Sequence, residues 1–306
     1  MAWRVHLSDS VVYRIDVLPG TPILLCVWFS NDEASFFDLA TGAARGVLRV
    51  HIPDDVTMSD HTSDAWQQFI DTLRATNGAL LPLVRLPRLT IHRTDDNGYR
   101  LYDDGHGLSL QVNGTEQRIG PVDKLFTSVK MDRVEGITAA LDERGNLHTY
   151  AGVEPINTAA IGLATPDAVL PDLAIADHAA AIFASDGHQI IATDRQGHVR
   201  CAVPVDYTIG RLACARDGHY VATSDSETGI IRVYEGENLS FAYQKFAVDL
   251  FAAAHQVQLM ADTPTPRLGI SALTITSEGV IAFAMDGMVT VTDITAMQKM
   301  PYAHFS

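Results

Sequence analysis

Residues 212–234 read LACARDGHYVATSDSETGIIRVY. Three β-prone runs, 212–215, 220–224 and 230–234, are separated by two turns. Asp217-Gly218 closes the first turn, a pair suited to a short hairpin in which both turn residues reach positive φ. Ser226-Glu227-Thr228-Gly229 closes the second. The stretch therefore reads as a compact antiparallel meander.

Working outward, the same unit recurs. A four-stranded meander spans about residues 11–52 and closes its third strand on FFDLATG. Further units span about 86–119, 122–161, 170–205, 206–243 and 270–294. Their central hairpins superpose as LLCVWFSNDEASFFDL, YRLYDDGHGLSLQV, ITAALDERGNLHTY, IIATDRQGHVRCAV, YVATSDSETGIIRVY and IAFAMDGMVTVTDI. On this alignment Asp186-Gly187-His188 and Asp217-Gly218-His219 are one repeated turn.

Two segments break the rhythm, at about 53–85 and 245–266. In the first, Trp66, Phe69, Ile70 and Leu73 recur at helical spacing, Ser63 can cap the helix, and Asn77-Gly78 can end it. In the second, Ala247, Leu250, Phe251, Ala254 and Val257 keep the same period over 245–260, and Pro264-Thr265-Pro266 stops it. Without these insertions, of about 33 and 22 residues, about 250 of the 306 remain, or about 42 per unit. That is the length of one propeller blade. One four-stranded sheet cannot cover both of its faces, whereas sheets stacked radially cover each other.

The expected fold is thus all-β: a single β-propeller over residues 1–306 with two short helical insertions. Six blades is the expected count, and seven is the alternative. The last unit has only three convincing strands, and residues 3–7 (WRVHL) can supply the fourth. The ring would then close by pairing the two chain ends.

The units resemble WD-repeat β-propellers. ARDGHYVATSD resembles the first hairpin of such a repeat, and SFFDLATG and TVTDITAM resemble its third strand and following turn. No Gly-His followed by a Trp-Asp signature is present. The Trp-Asp positions read Phe37-Asp38, Tyr234-Glu235 and Thr292-Asp293. The resemblance implies a rigid docking platform, usually without catalytic activity.

Composition narrows the function further. Net charge is −15, from 37 acidic and 22 basic residues, and only Lys124, Lys130, Lys245 and Lys299 are lysines. No basic run is present to hold a phosphate backbone, so nucleic acid is not an expected partner. No apolar run is long enough to span a bilayer, and the N-terminal residues lack the apolar core of a signal peptide. Cys26, Cys201 and Cys214 have no framework spacing and read as core thiols of a reducing compartment, so a cytoplasmic protein is expected.

Candidate chemistry is sparse. His106, His188, His198 and His219 lie in or beside turns, and no HxH, HxxxH or CxxC spacing gathers metal ligands. The acidic turns Asp95-Asp96-Asn97-Gly98 and Asp103-Asp104 lack the alternating donors and later Glu of a calcium loop. There is no GxSxG elbow and no phosphate-cradling glycine loop. The expectation is no catalytic residue, no metal and no cofactor. It favours a non-enzymatic scaffold or adaptor binding other proteins, with Trp66, Phe69, Ile70 and Leu73 as candidate docking residues. A metal-dependent six-bladed hydrolase or lactonase is the rival reading, and needs acidic residues at the channel ends of the innermost strands. Those strands read apolar or Ala-rich, as in LACA and LAIA. A glycan- or small-molecule-binding propeller would need a repeated aromatic pocket, and there are three Trp in all.

Overall fold

The computed structural model describes residues 2–7, 12, 14–17, 24–30, 33–50, 84–86, 100–103, 108–112, 115–120, 126–132, 135–163, 172–256 and 269–299. Among them are six sheets. Strand β1 (Trp3–His6) opens the chain. The first sheet is β2 (Arg14–Val17), β3 (Leu24–Ser30), β4 (Glu33–Asp38) and β5 (Ala44–Val50), with β6 (Val84–Leu86) added in parallel outside β5. The second shows β7 (Arg100–Asp103), β8 (Leu108–Val112) and β9 (Thr115–Ile119). The third is β10 (Phe126–Met131), β11 (Ile137–Asp142), β12 (Asn146–Ala151) and β13 (Glu154–Ala160). The fourth is β14 (Asp172–Ile175), β15 (Ile182–Ser185), β16 (Gln189–Thr193) and β17 (Val199–Pro204). The fifth is β18 (Ile209–Cys214), β19 (Tyr220–Asp225), β20 (Ile230–Glu235) and β21 (Ser240–Phe246). Then come helix α1 (Ala247–Ala253) and β22 (His255–Gln256). The sixth sheet holds β23 (Ile270–Ile275), β24 (Val280–Met285) and β25 (Met288–Asp293), followed by α2 (Ile294–Lys299).

The sheets are blades. Each buried strand sends alternate residues to opposite neighbours, as the two-residue period of a strand requires. On β24, Ile281, Phe283 and Met285 join the core shared with the fifth blade, while Ala282 and Ala284 join the core shared with the first. Separate cores of this kind couple blades two and three, three and four, four and five, five and six, and six and one. Along the inner wall, β10 lies against β14, β14 against β18, β18 against β23, and β23 against β2.

The chain ends close the sixth blade as expected. Strand β1 pairs antiparallel with β25, from Trp3↔Val291 to His6↔Met288. Trp3 is fully buried, its ring centroid is 6.0 Å from that of Phe37, and its indole Nε1 donates to the Leu39 carbonyl at 2.9 Å. One side chain therefore joins the closing strand to the first blade.

Four expectations need correction. Among its described residues, the second insertion is helical only over Ala247–Ala253. Lys245 and Phe246 stay in the strand ladder opposite Ile231 and Ile230, and Ala254 turns extended so that β22 can pair in parallel with β1. Residues 257–268 lie outside the described residues, as do 51–83. Val84–Leu86, assigned to the first insertion, is a strand because β5 offers it an unpaired edge. The hairpin IIATDRQGHVRCAV joins the third and fourth strands of its blade, not the second and third. The equivalent central hairpin there runs through Ser185-Asp186-Gly187-His188. Finally, Gly218 alone takes positive φ (74°) in the Asp217-Gly218 turn, which spans four residues between Ala215 and Tyr220. Asp286-Gly287 is the pair with both φ positive, at 50° and 75°, closing Met285 directly onto Met288.

Candidate functional site

Successive turns of a meander lie at opposite ends of its sheet, so the ring has two faces. Turns between second and third strands, with the links between blades, form the first face. Turns between first and second, and between third and fourth, form the second. Asp186-Gly187-His188 therefore lies on the first face and Asp217-Gly218-His219 on the second. They are not one repeated turn.

On the first face, three blades close their central turn on a buried Asp. Asp142 Oδ1 accepts from the Arg144 and Asn146 amides, Asp186 Oδ1 from those of His188 and Gln189, and Asp225 Oδ1 from those of Glu227 and Thr228. A different side chain then ties each carboxylate inward. In the third blade, buried His148 Nε2 is 3.0 Å from Asp142 Oδ2, and its Nδ1 is 3.0 Å from Thr158 Oγ1. A carboxylate already taking several donors acts as acceptor, so Nε2–H donates to it. In the fourth, Gln189 Nε2 bridges Asp186 Oδ2 and the Gly162 carbonyl of the preceding link. In the fifth, Arg232 lies 3.5 Å from Asp225 Oδ2 and 3.7 Å above the Tyr207 ring. The Tyr207 hydroxyl meets Thr223 Oγ1 at 2.7 Å and the Tyr234 hydroxyl at 2.9 Å.

These environments shift protonation in opposite directions. Burial raises both Tyr207 and Tyr234 above the ordinary phenol range, and for Tyr234 the Tyr207 hydroxyl adds to the rise. Burial also pushes Asp225 upward, but bonds from Thr228 and the Glu227 amide, with the Arg232 charge, outweigh it and hold the carboxyl below its usual value. No spacing in the sequence signals the His148 or Tyr207 networks, because strand register brings their members together.

The channel end of the inner strands is polar but modest. Asp172 accepts from Ser128 Oγ at 3.4 Å and from the Leu173 and Leu212 amides, so it links three blades. Arg211 donates Nε to the Ser271 carbonyl at 2.9 Å and reaches the sixth blade. Among the described residues no group of three or more His, Cys, Asp or Glu stands close enough to hold a metal ion.

The second face is stitched between blades. Arg216 Nε meets Asp177 Oδ2 at 2.7 Å, and the Asp177 amide donates to the Arg216 carbonyl. His178, exposed and left-handed at φ 57°, places Nδ1 3.0 Å from Glu135 Oε1, and Asp132 accepts the His178 amide. His198 pairs with Asp194 at 3.0 Å. His188, His198 and His219 are exposed turn residues, as expected, while His106 lies outside the described residues.

An apolar feature repeats at the rim of this face. In blades three, four and five a bulge interrupts the last strand pair, between Thr149 and Tyr150, Ala192 and Thr193, and Val233 and Tyr234. The residue opposite the first position past the bulge is then Pro155, Val199 and Phe241 in turn. All three are exposed, and Val199 and Phe241 are the exposed large hydrophobics among the described residues, at 47% and 56%. The expected docking residues Trp66, Phe69, Ile70 and Leu73 lie outside the described residues.

No protein-family model matches the chain, and no curated protein matches it by sequence. Solved structures do. The β-propeller domain of Cps50 (Swd1) from Myceliophteria thermophila superposes with a TM-score of 0.60 at 9% identity, covering 94% of this chain and 98% of that one. The WD40 β-propeller domain of Doa1 gives 0.56 at 11% identity, covering 95% of each chain. The chain has the fold of the WD-repeat β-propellers. Raptor from Chaetomium thermophilum gives 0.61 at 10% identity, and the propeller matches only 29% of that longer chain while 95% of it is covered. At such identities the likeness concerns fold. The propeller geometry is present without a Trp-Asp pair anywhere in the sequence.

Proposed function

We propose that this propeller is a non-enzymatic scaffold or adaptor that binds other proteins within a cytoplasmic assembly. The observation that carries this reading is the exposed apolar position repeated at the rim in three successive blades, Pro155, Val199 and Phe241. An apolar side chain exposed at the same place in three successive blades offers a partner apolar surface to bury. The blades beneath are stiff, with β11 buried along its whole length, so the rim presents a fixed shape. Such pre-ordering limits the entropy lost on binding. The solved propellers that share the fold support a platform role in general terms. Cys201 is a free thiol, which suits a reducing compartment.

The test is native purification from the source cell at physiological salt, followed by size-exclusion chromatography and mass spectrometry. A partner that stays in fixed stoichiometry, and is lost with Val199→Ser plus Phe241→Ser, is the expected outcome. Purification as a lone chain under those conditions counts against the reading.

A further inference from the structure

The chain treats the outer edges of its blades unequally. It adds β6 in parallel outside β5 of the first blade, and β22 in parallel outside β1 of the sixth. The outer strands of blades three, four and five are β13, β17 and β21, and among the described residues none of them carries a fifth strand. On β13, Pro155 stands in the edge, and Asn157 Nδ2 donates to the Gln196 carbonyl of the next blade at 2.6 Å. Against β21 lie α1 and α2. The edge of β17 is bare: beyond its ladder with β16, the backbone of Val199–Pro204 makes no hydrogen bond among the described residues. Its sequence, VRCAVP, carries one charge, Arg200 at the bulge, and one Pro, at its end. Edges kept from pairing usually carry more charge or Pro than this.

The direction of each polar group on that edge follows from one bond. The Val205 amide donates inward to the His188 carbonyl at 2.9 Å. By the two-residue period, the amides of Val203 and Cys201 point inward as well, and the amide and carbonyl of Ala202 point out to water with the carbonyl of Pro204. The side chains alternate in step. Cys201 and Val203 are partly buried in the core between blades four and five, whereas Ala202 faces the other way and is exposed. On the fifth-blade wall of the same gap, Phe241 lies opposite Tyr234 in register, with ring centroids 5.9 Å apart, and is 56% exposed. An open backbone edge and an open apolar ring thus flank one gap.

We propose that β17 takes an extended segment of another protein as a fifth strand, parallel to it, with apolar side chains at alternate positions entering the gap toward Phe241. The unpaired amide and carbonyls of Ala202 and Pro204 call for a strand, because only an extended backbone presents acceptors and donors at their spacing. The parallel sense is that of both strands the chain adds for itself. Two copies meeting about a twofold axis would pair their β17 strands antiparallel, so a parallel strand has to be a different segment. In a strand parallel to β17, the residues whose amides face Ala202 are those whose side chains enter the gap. This inference rests on the platform reading and names the form of its partner.

The probe is a fluorescent eight-residue peptide alternating Thr and Val, with binding to the whole protein read by anisotropy. Two further forms carry N-methyl groups, one on the Val amides and one on the Thr amides. The parent peptide binds, methylation of the Val amides abolishes binding, and methylation of the Thr amides leaves it within about twofold. Phe241→Ala weakens binding about fivefold, the effect of losing part of a buried ring. Ala202→Pro, which removes the outward amide at a position where an edge strand tolerates Pro, abolishes it, with circular dichroism checking the fold. If that variant does not fold, the methylated peptides decide alone. Equal binding of the two methylated forms overturns the proposal, since side chains then carry the contact, and so does loss confined to the Thr-methylated form, since the added strand is then antiparallel. Sedimentation that finds a dimer in the parent protein and a monomer in Ala202→Pro also overturns it, because the occupant is then a second copy. If a partner is retained on native purification by both the parent protein and Ala202→Pro, the platform reading stands and this inference falls.

Discussion

Trp3 shows how much one side chain can decide in a closed ring. It fills the core between the sixth and first blades and donates its indole N–H to the Leu39 carbonyl. Trp3→Ala should cost about 3–5 kcal/mol, the range for an emptied large aromatic site. Trp3→Phe keeps most of the apolar contact and loses one hydrogen bond, so about 1 kcal/mol is expected. Urea melts followed by circular dichroism separate the two. Asp225 gives a pH prediction. Its folded pKa is lowered, so its contribution to stability is fully present above the ordinary carboxylate value and lost as pH falls through the folded value. Asp225→Asn should therefore lower Tm at neutral pH and flatten its decline between about pH 5 and about pH 2. A decline as steep as that of the parent protein contradicts this. At this scale the sequence exposed what spacing can carry: turn Asp and Gly. It hid His148 with Thr158, and Tyr207 with Thr223, because cross-strand partners depend on register.

Elements were legible where period and turn chemistry agree. Strands β18, β19 and β20 lie where the LACARDGHYVATSDSETGIIRVY stretch placed them, within a few residues at each end. The order of turns within a blade was less legible. Every reversal of a meander favours a carboxylate acceptor and a left-handed Gly, so Asp-Gly marks a reversal without saying which one. That is why Asp186-Gly187 and Asp217-Gly218 look alike and lie on opposite faces. The second insertion misled for a related reason. Its Ala-rich amphipathic period is real, but pairing of Lys245 and Phe246 with β20 outweighs helix propensity at its start. What remains of the helix is tied to the closing strand: Arg4 donates to the Phe251 carbonyl at 2.8 Å and stacks over its ring at 4.2 Å. Arg4→Ala should lose about 1–2 kcal/mol locally. Hydrogen exchange should rise first in α1 and β22, and an unchanged rate there refutes the coupling.

The whole molecule is a set of paired interfaces with one seam, where β1 meets β25. Removing residues 2–7 should leave β25 with an unpaired edge, and such edges recruit other chains. The truncated protein should form larger species on size-exclusion chromatography. A synthetic peptide of residues 1–12 added in trans should return it to the parent elution volume. A truncated chain that stays monomeric and equally stable would show that the seam contributes little. The seam also sets a timetable. Val291, the partner of Trp3, is made nearly 290 residues after it. At about 5–20 residues per second, β1 waits roughly 15–60 s for its neighbour strand to be made. For that interval its backbone edge and its indole are without their native partners. The ring is therefore closed only once the sixth blade has been made, and until then one short apolar strand has nowhere to bury itself.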